Sequence, residues 1–180
     1  MKILRRLLAI ASLGLVASCT QGTNAGGPES SSLDSTVAWL TKAINDSSSI
    51  RVEMGDKLIT HSTVVVRREV CVLAIRDKRH TQLGSSWEEA DVKATVDLRR
   101  VSPAIGTKPF TGSGYHGAVL TVSAPKETGA IRQDMELSSS AIGLSHTAGA
   151  ADSFEFTISD DAVAERIRRA LAHAVELCRG

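Results

Sequence analysis

Residues 159–180 read SDDAVAERIRRALAHAVELCRG and contain the clearest element of the chain. Ser159, Asp160 and Asp161 can cap and charge the start of a helix. The apolar residues that follow fall on one face, within roughly 120° of one another at 100° per residue. They are Val163, Ile167, Ala170, Leu171, Ala174, Leu177 and Cys178. The pattern predicts a long C-terminal helix that packs across a sheet or caps a barrel, with Cys178 facing the core.

Short stretches of alternating apolar residues upstream of this helix predict β-strands. They are Thr63–Val66, Val70–Ile75, Val92–Arg99, Ala118–Val122, Ile131–Leu137 and Phe154–Ile158. Turn-forming residues separate them at Asp77-Lys78, Ser102-Pro103, Gly112–Gly117, Pro125-Lys126 and Ser138–Ala151. Six or seven strands without intervening helices favour an antiparallel sheet that forms a barrel or a sandwich.

A shorter amphipathic helix precedes the strands. Its apolar face consists of Leu33, Val37, Leu40 and Ile44. Asp34 or Ser35 can cap its start, and Asn45–Ser47 ends it. Trp39 lies opposite the apolar face, where it either packs against a second surface or is an exposed contact. The sequence therefore predicts one α+β domain over residues 33–180.

The N-terminus has the pattern of an export signal. Basic residues precede Leu7–Val16, an apolar run of about ten residues, which suits a signal peptide and is too short to span a membrane. Residues 16–19 (VASC) resemble the bacterial lipobox. The resemblance implies removal of residues 1–18 and a lipid on the thiol of Cys19. The alternative is an ordinary secretory signal with a chance cysteine.

The expected location follows from the same resemblance, and the tether follows from a composition of Gly, Ser and Asn without apolar periodicity. Thr20 stands where an Asp would retain a lipoprotein in the inner membrane, so the expected location is the outer membrane, facing the periplasm. Residues 20–32 (TQGTNAGGPESSS) form, with Cys19, the expected tether over residues 19–32. Its mean reach is about 20 Å, and at most ~45 Å fully extended. The domain is thus expected to stay close to the membrane.

Composition excludes several partner classes. The signal segment carries three of the 21 Lys and Arg residues and no acid, which leaves 18 basic and 20 acidic side chains, a net charge of −2. That balance gives no reason to expect nucleic acid as a partner. Aromatic residues make up 3% of the chain, which argues against a platform for stacking single-stranded nucleic acid or sugars.

Assigning Cys19 to lipid leaves two cysteines, Cys71 and Cys178. An even pair in an exported domain favours a disulfide. Cys71 shares one side of its predicted strand with Leu73 and Ile75, and Cys178 lies on the apolar face of its helix, so both face the core. The alternative is two unpaired buried thiols.

Three segments resemble a group of uncharacterised secreted bacterial proteins of pleckstrin-homology-like fold. They are Cys71, residues 95–103 (TVDLRRVSP) and residues 164–178 (AERIRRALAHAVELC). The resemblance covers about residues 36–178. It implies a barrel closed by a C-terminal helix that ends in Leu-Cys, and it carries no established activity.

Residues 112–117 (GSGYHG) match the dinucleotide-binding pattern G-x-G-x-x-G. That motif needs a helix after it to direct backbone N–H groups at a pyrophosphate, whereas the strand Ala118–Val122 follows here. A hairpin loop is therefore predicted. The histidines, at positions 61, 80, 116, 146 and 173, show no local metal-ligand spacing. A site across strands, such as His61 with His116, stays open, and His173 is expected at the rim of its helix.

The sequence contains no local catalytic pattern. No serine lies in a G-x-S-x-G elbow, although a triad assembled from distant segments stays open. Glu88 and Glu89, beside Trp87, point to opposite faces if they lie on a strand, so they do not form a carboxylate pair. No catalytic residue, metal site or cofactor is therefore predicted.

The expected function follows from the anchor and this lack of catalytic patterns. The leading hypothesis is a non-enzymatic envelope lipoprotein that binds or scaffolds another envelope protein or peptide, by strand addition at an exposed edge or rim. The first alternative is a lipid- or small-molecule-binding protein that uses the barrel interior or mouth. The second is a hydrolase with a site assembled from distant residues.

Overall fold

A computed structural model describes residues 32–112 and 115–180 of the chain. Within them, two α-helices flank nine strands. The helices are α1 (Leu33–Ser47) and α2 (Asp161–Arg179), and the strands are β1 (Ile50–Met54), β2 (Lys57–Glu69), β3 (Val72–Leu83), β4 (Ser86–Asp97), β5 (Gly106–Gly112), β6 (Tyr115–Ser123), β7 (Ile131–Ser139), β8 (Gly143–Ala151) and β9 (Ser153–Ile158). The predicted α+β class and both predicted helices are confirmed. Cys19, the signal over residues 1–18 and most of the predicted tether lie outside the described residues.

The strands form two antiparallel sheets. The large sheet has the order β1-β2-β3-β4-β7-β8 and the small sheet has the order β5-β6-β9. Each sheet ends at two different edge strands, so neither closes on itself. The predicted barrel is therefore wrong. The prediction of six or seven strands was also too low, because β1 is only five residues long and the weakly apolar β5 and β8 show little alternation.

The predicted alternation identifies the core correctly. In β4, Val92, Ala94 and Val96 are buried, and the equivalent residues of β6 and β9 are buried as well. These are Ala118, Leu120, Val122, Phe154, Phe156 and Ile158. Side chains from both sheets and both helices belong to one hydrophobic core. The face of the large sheet that points away from this core is called the outer face below.

The N-cap of helix α1 is Ser32, two residues before Asp34 and three before Ser35, the predicted caps. The Ser32 hydroxyl accepts a hydrogen bond from the Ser35 backbone N–H at 3.5 Å. Trp39 packs against the core, which is the first of its two predicted alternatives, and the guanidinium of Arg166 lies 5.2 Å from the centre of its ring. This contact joins α1 to α2 on the side away from the main apolar face.

Helix α2 is capped as predicted. The Asp160 carboxylate accepts a hydrogen bond from the Val163 N–H at 2.8 Å. Its buried face is shifted relative to the prediction, since Leu177 is 39% exposed whereas Val175 is fully buried. The shift arises because α2 packs against both α1 and β6, and these two surfaces together set the orientation of the helix.

Two predicted turns are strands. Asp77-Lys78 lies inside β3, which is hydrogen-bonded on both sides by β2 and β4. Residues 138–151 include all of β8, which pairs with β7 along its length. In both places pairing to neighbouring strands overrides weak local propensity. Of the predicted hairpin loop at 112–117, Gly112 lies in β5 and residues 115–117 lie in β6, so the two strands extend into it, with Gly112 paired to Tyr115.

Candidate functional site

The two cysteines predicted to pair lie side by side. Cys71 occupies the turn between β2 and β3, and Cys178 lies in the last turn of α2. Their Cα atoms are 5.8 Å apart, within the range that a disulfide requires, and their sulfur atoms are at disulfide distance. The pair connects the large sheet to the C-terminal helix.

The five histidines do not form a common site. Three of them contact a different carboxylate each, in the pairs His61–Asp77, His80–Glu89 (Nδ1 to Oε1, 3.0 Å) and His146–Asp134 (Nε2 to Oδ1, 2.7 Å). His116 is exposed, whereas His173 is half-buried and its Nε2 atom has no hydrogen-bond partner within residues 32–112 and 115–180. In that same part of the chain, no group of three or more His, Cys, Asp or Glu residues could hold a metal ion.

A polar cluster surrounds the buried Asp77 on the inner face of the large sheet. The cluster consists of His61 and Thr63 in β2 and Asp77 and Arg79 in β3. Oδ1 of Asp77 is hydrogen-bonded to the His61 ring and accepts from the Thr63 hydroxyl at 2.7 Å. Its Oδ2 accepts from Nε of Arg79 at 2.7 Å. The Asp77 side chain is fully buried, so it cannot contact a solute.

The surroundings of Asp77 keep it ionised. Burial raises the pKa of the Asp77 carboxyl. The hydrogen bond and charge of His61, the charge of Arg79 and the Thr63 hydroxyl outweigh burial, so the pKa lies below its ordinary value. A histidine thus lies beside a carboxylate, as in a hydrolase, but no histidine ring is hydrogen-bonded to a serine hydroxyl in the described part of the chain. The cluster is best explained as a structural contact whose hydrogen bonds connect β2 to β3.

The outer face carries two depressions along the same strands. One, of about 630 Å³, lies near His80, Glu89 and Leu144 and is called depression 1. The other, of about 640 Å³, lies near Val64 and Lys93 and is called depression 2. Both volumes fall in the range of small-molecule sites. The buried side chains between the sheets and helices form one hydrophobic core, and the large sheet does not close into a barrel.

Charged residues on this face are partly paired. Arg76 donates from Nε to Oδ1 of Asp91 at 3.0 Å. This hydrogen bond and the opposite charge raise the pKa of Arg76 and lower that of Asp91, so the pair remains ionised at neutral pH. Glu88 and Glu89 lie on neighbouring positions of β4 and face opposite sides, as predicted.

The edge at β8 was not predicted. Within the described residues β8 pairs with β7 alone, and seven of its nine residues, 143–149, are exposed. Leu144 is 75% exposed and Ile142, in the preceding turn, is 65% exposed. The strand sequence GLSHTAGAA contains one titratable side chain, His146, and no Pro, Lys or Arg. Its small residues gave no alternation, but their lack of edge-protecting charges is visible in the sequence.

Comparisons with protein-family models, with curated proteins and with solved structures found no match for this chain. Neither of the two described helices is both long and apolar enough to cross a membrane.

Proposed function

We propose that this chain is an envelope lipoprotein, anchored through Cys19 to the outer membrane, whose folded part is a non-enzymatic binding module. Its partner is an extended peptide segment of another envelope protein, which adds as a further strand at β8. The observation that carries this proposal is the long, exposed and uncharged edge of β8. A free edge offers a row of backbone donors and acceptors to an incoming strand.

The opposite edge of the large sheet is a useful contrast. Strand β1 has five residues, and Arg51 and Glu53 form an ion pair on it. Short length and charged side chains are the usual protection of an edge strand, and β8 has neither. Leu144 also borders depression 1, so an added strand would find an apolar contact beside its backbone pairing. Of the two edges of the large sheet, β1 is therefore protected against strand addition and β8 is open to it.

The relationship to secreted proteins of pleckstrin-homology-like fold is part of the same proposal. It is supported by the C-terminal helix, which brings Cys178 to Cys71, whereas the open sheets depart from the barrel that the resemblance implied. Since those proteins have no established activity, the relationship adds no function to the one proposed.

The strand-addition proposal is tested with peptides selected for binding to the protein from a random library. We expect bound peptide to slow backbone amide exchange in β8 and to leave exchange in β1 unchanged. The variant Ser145→Lys/Thr147→Lys places two positive charges on the exposed edge and should weaken binding by about tenfold or more. Hydrogen exchange and calorimetry measure the two effects.

A matched control places a lysine on a different edge. Thr107→Lys lies on β5, an edge strand of the small sheet, and should leave peptide affinity unchanged. Peptides that bind without protecting β8 amides, or equally well to the double variant, would contradict the proposal.

The anchor has its own test. We predict that Cys19→Ala releases the protein from the membrane fraction and abolishes its labelling by radioactive fatty acid, because the thiol that accepts the lipid is lost. Unchanged fractionation together with unchanged labelling would show that Cys19 is not the anchor. Cys71→Ala serves as the control and should retain the label.

A further inference from the structure

Depression 2 combines an apolar end with a positively charged end. Its apolar end is formed by Val64 and Val66 of β2, which are 51% and 55% exposed. Ala74 lies opposite Val66 on β3 and has a small side chain. The two valines lie on the same face of the strand, and about half of each side chain is exposed to water. Together they form an apolar surface that a ligand could cover.

The charged end lies on β4 and β7, the next two strands of the sheet after β3. Lys93 of β4 and Arg132 of β7 border the depression, and each makes no ion pair within residues 32–112 and 115–180. In the register of the two strands, Lys93 lies opposite Asp134 and Arg132 lies opposite Thr95. Lys93 and Arg132 are thus diagonal neighbours, about 7–8 Å apart at their Cα atoms. Two long cationic side chains can reach one anion from such positions.

The net charge at this end of depression 2 favours a ligand with a single negative charge. Arg76 also borders it, but Asp91 already neutralises that guanidinium. The remaining charges are the two unpaired cations and the carboxylate of Asp134, so this end carries a net charge of +1. The net charge of +1 would compensate only part of the charge of a dianion, and Asp134 would repel such a ligand. A monoanion matches the site.

We propose that depression 2 is a binding site for an alkyl carboxylate, with the carboxylate between Lys93 and Arg132 and the alkyl chain over Ala74 against Val64 and Val66. From β7 to β2 the chain crosses three strand spacings, about 14 Å, which a medium-length fatty acid spans. This activity is separate from strand addition, because depression 2 shares no lining residue with the edge of β8.

The test is calorimetric titration of the full chain carrying Cys19→Ser with decanoate below its micellar concentration. The substitution prevents a lipid on the protein from competing. We expect saturable binding at one site. Lys93→Ala/Arg132→Ala should weaken it by at least about tenfold, because charged hydrogen bonds are lost. Val64→Ser/Val66→Ser should weaken it to a similar extent, since the alkyl chain loses its apolar contact.

Matched controls distinguish decanoate binding at depression 2 from non-specific electrostatic or hydrophobic attraction to the protein. Lys78→Ala/Lys126→Ala removes the same charge from positions outside depression 2 and should change affinity less than about twofold. Decanol and inorganic phosphate should each bind at least about tenfold more weakly than decanoate. Equal binding of decanol would overturn the role of the cations, and equal binding of phosphate would overturn the role of the valines. Absence of saturable decanoate binding would overturn the site itself.

Discussion

Asp77 joins two neighbouring strands through one buried carboxylate, and this makes stability depend on pH. Its pKa is lower in the folded protein than in the unfolded chain, mainly because His61 and Arg79 outweigh the effect of burial. The ionised form therefore stabilises the fold above the unfolded pKa of about 3.9. That stabilisation is lost as the pH falls through the lower folded value.

We predict that Asp77→Asn lowers the free energy of unfolding at neutral pH by about 3 kcal/mol, because His61 and Arg79 lose their buried partner. The variant should also lose less stability than the parent protein as the pH falls below about 4. Urea denaturation at several pH values measures both effects. Asp91→Asn removes a carboxylate that is partly exposed, so it should cost less than about 1 kcal/mol. Equal losses in the two variants would contradict the assignment.

At the scale of elements, the pairing of β6 with β9 depends on Gly117. A Cβ atom added at Gly117 would overlap the carbonyl oxygen of Ile158 and lie 2.9 Å from the carbonyl carbon of Ser159. Both neighbours are backbone atoms and cannot rotate away. The last glycine of the G-x-G-x-x-G pattern is thus required for close approach of two chain segments.

We predict that Gly117→Ala destabilises the protein by about 3 kcal/mol or more, because β9 and the start of α2 must shift. Gly149→Ala is the matched control, since nothing lies within 4 Å of an added Cβ atom there. It should change stability by less than about 0.5 kcal/mol. Thermal and urea unfolding compare the two variants. A similar stability of both would show that the β6–β9 approach can relax.

The elements differ in how far the sequence predicts them. Strand β4 and helix α2 have strong periodic patterns. The buried face of β4 matches the predicted alternation, whereas that of α2 matches only in its middle, at Ile167, Ala170, Leu171 and Ala174. The alternation Leu73, Ile75, Asp77 also continues through β3, but the polar pair Asp77-Lys78 resembles a turn. Strand β8 consists of residues with low β propensity and forms because β7 pairs with it. The candidate binding edge was therefore the part that local sequence patterns could not predict.

At the scale of the whole molecule, Cys71 and Cys178 connect segments that are 107 residues apart. A bond between them ties the end of α2 to the start of β3 and so encloses most of both sheets. Arg179 adds a second link nearby, donating from its guanidinium to the backbone oxygen of Val101 at 2.5 Å. The C-terminal helix is thus fixed at its far end to the large sheet and at its N-terminus to β9.

We predict that the pair is oxidised in the exported protein and that Cys71→Ser/Cys178→Ser lowers the free energy of unfolding by about 2–4 kcal/mol, somewhat less than the ~4–5 kcal/mol that chain entropy alone gives for so long a loop. The parent protein should show different mobility on reducing and non-reducing gels, whereas the double variant should not. A reducing agent should destabilise the parent to the level of the variant and leave the variant unchanged. Two free thiols in the native protein would refute the bond, and the core contacts of α2 would then have to hold the helix alone.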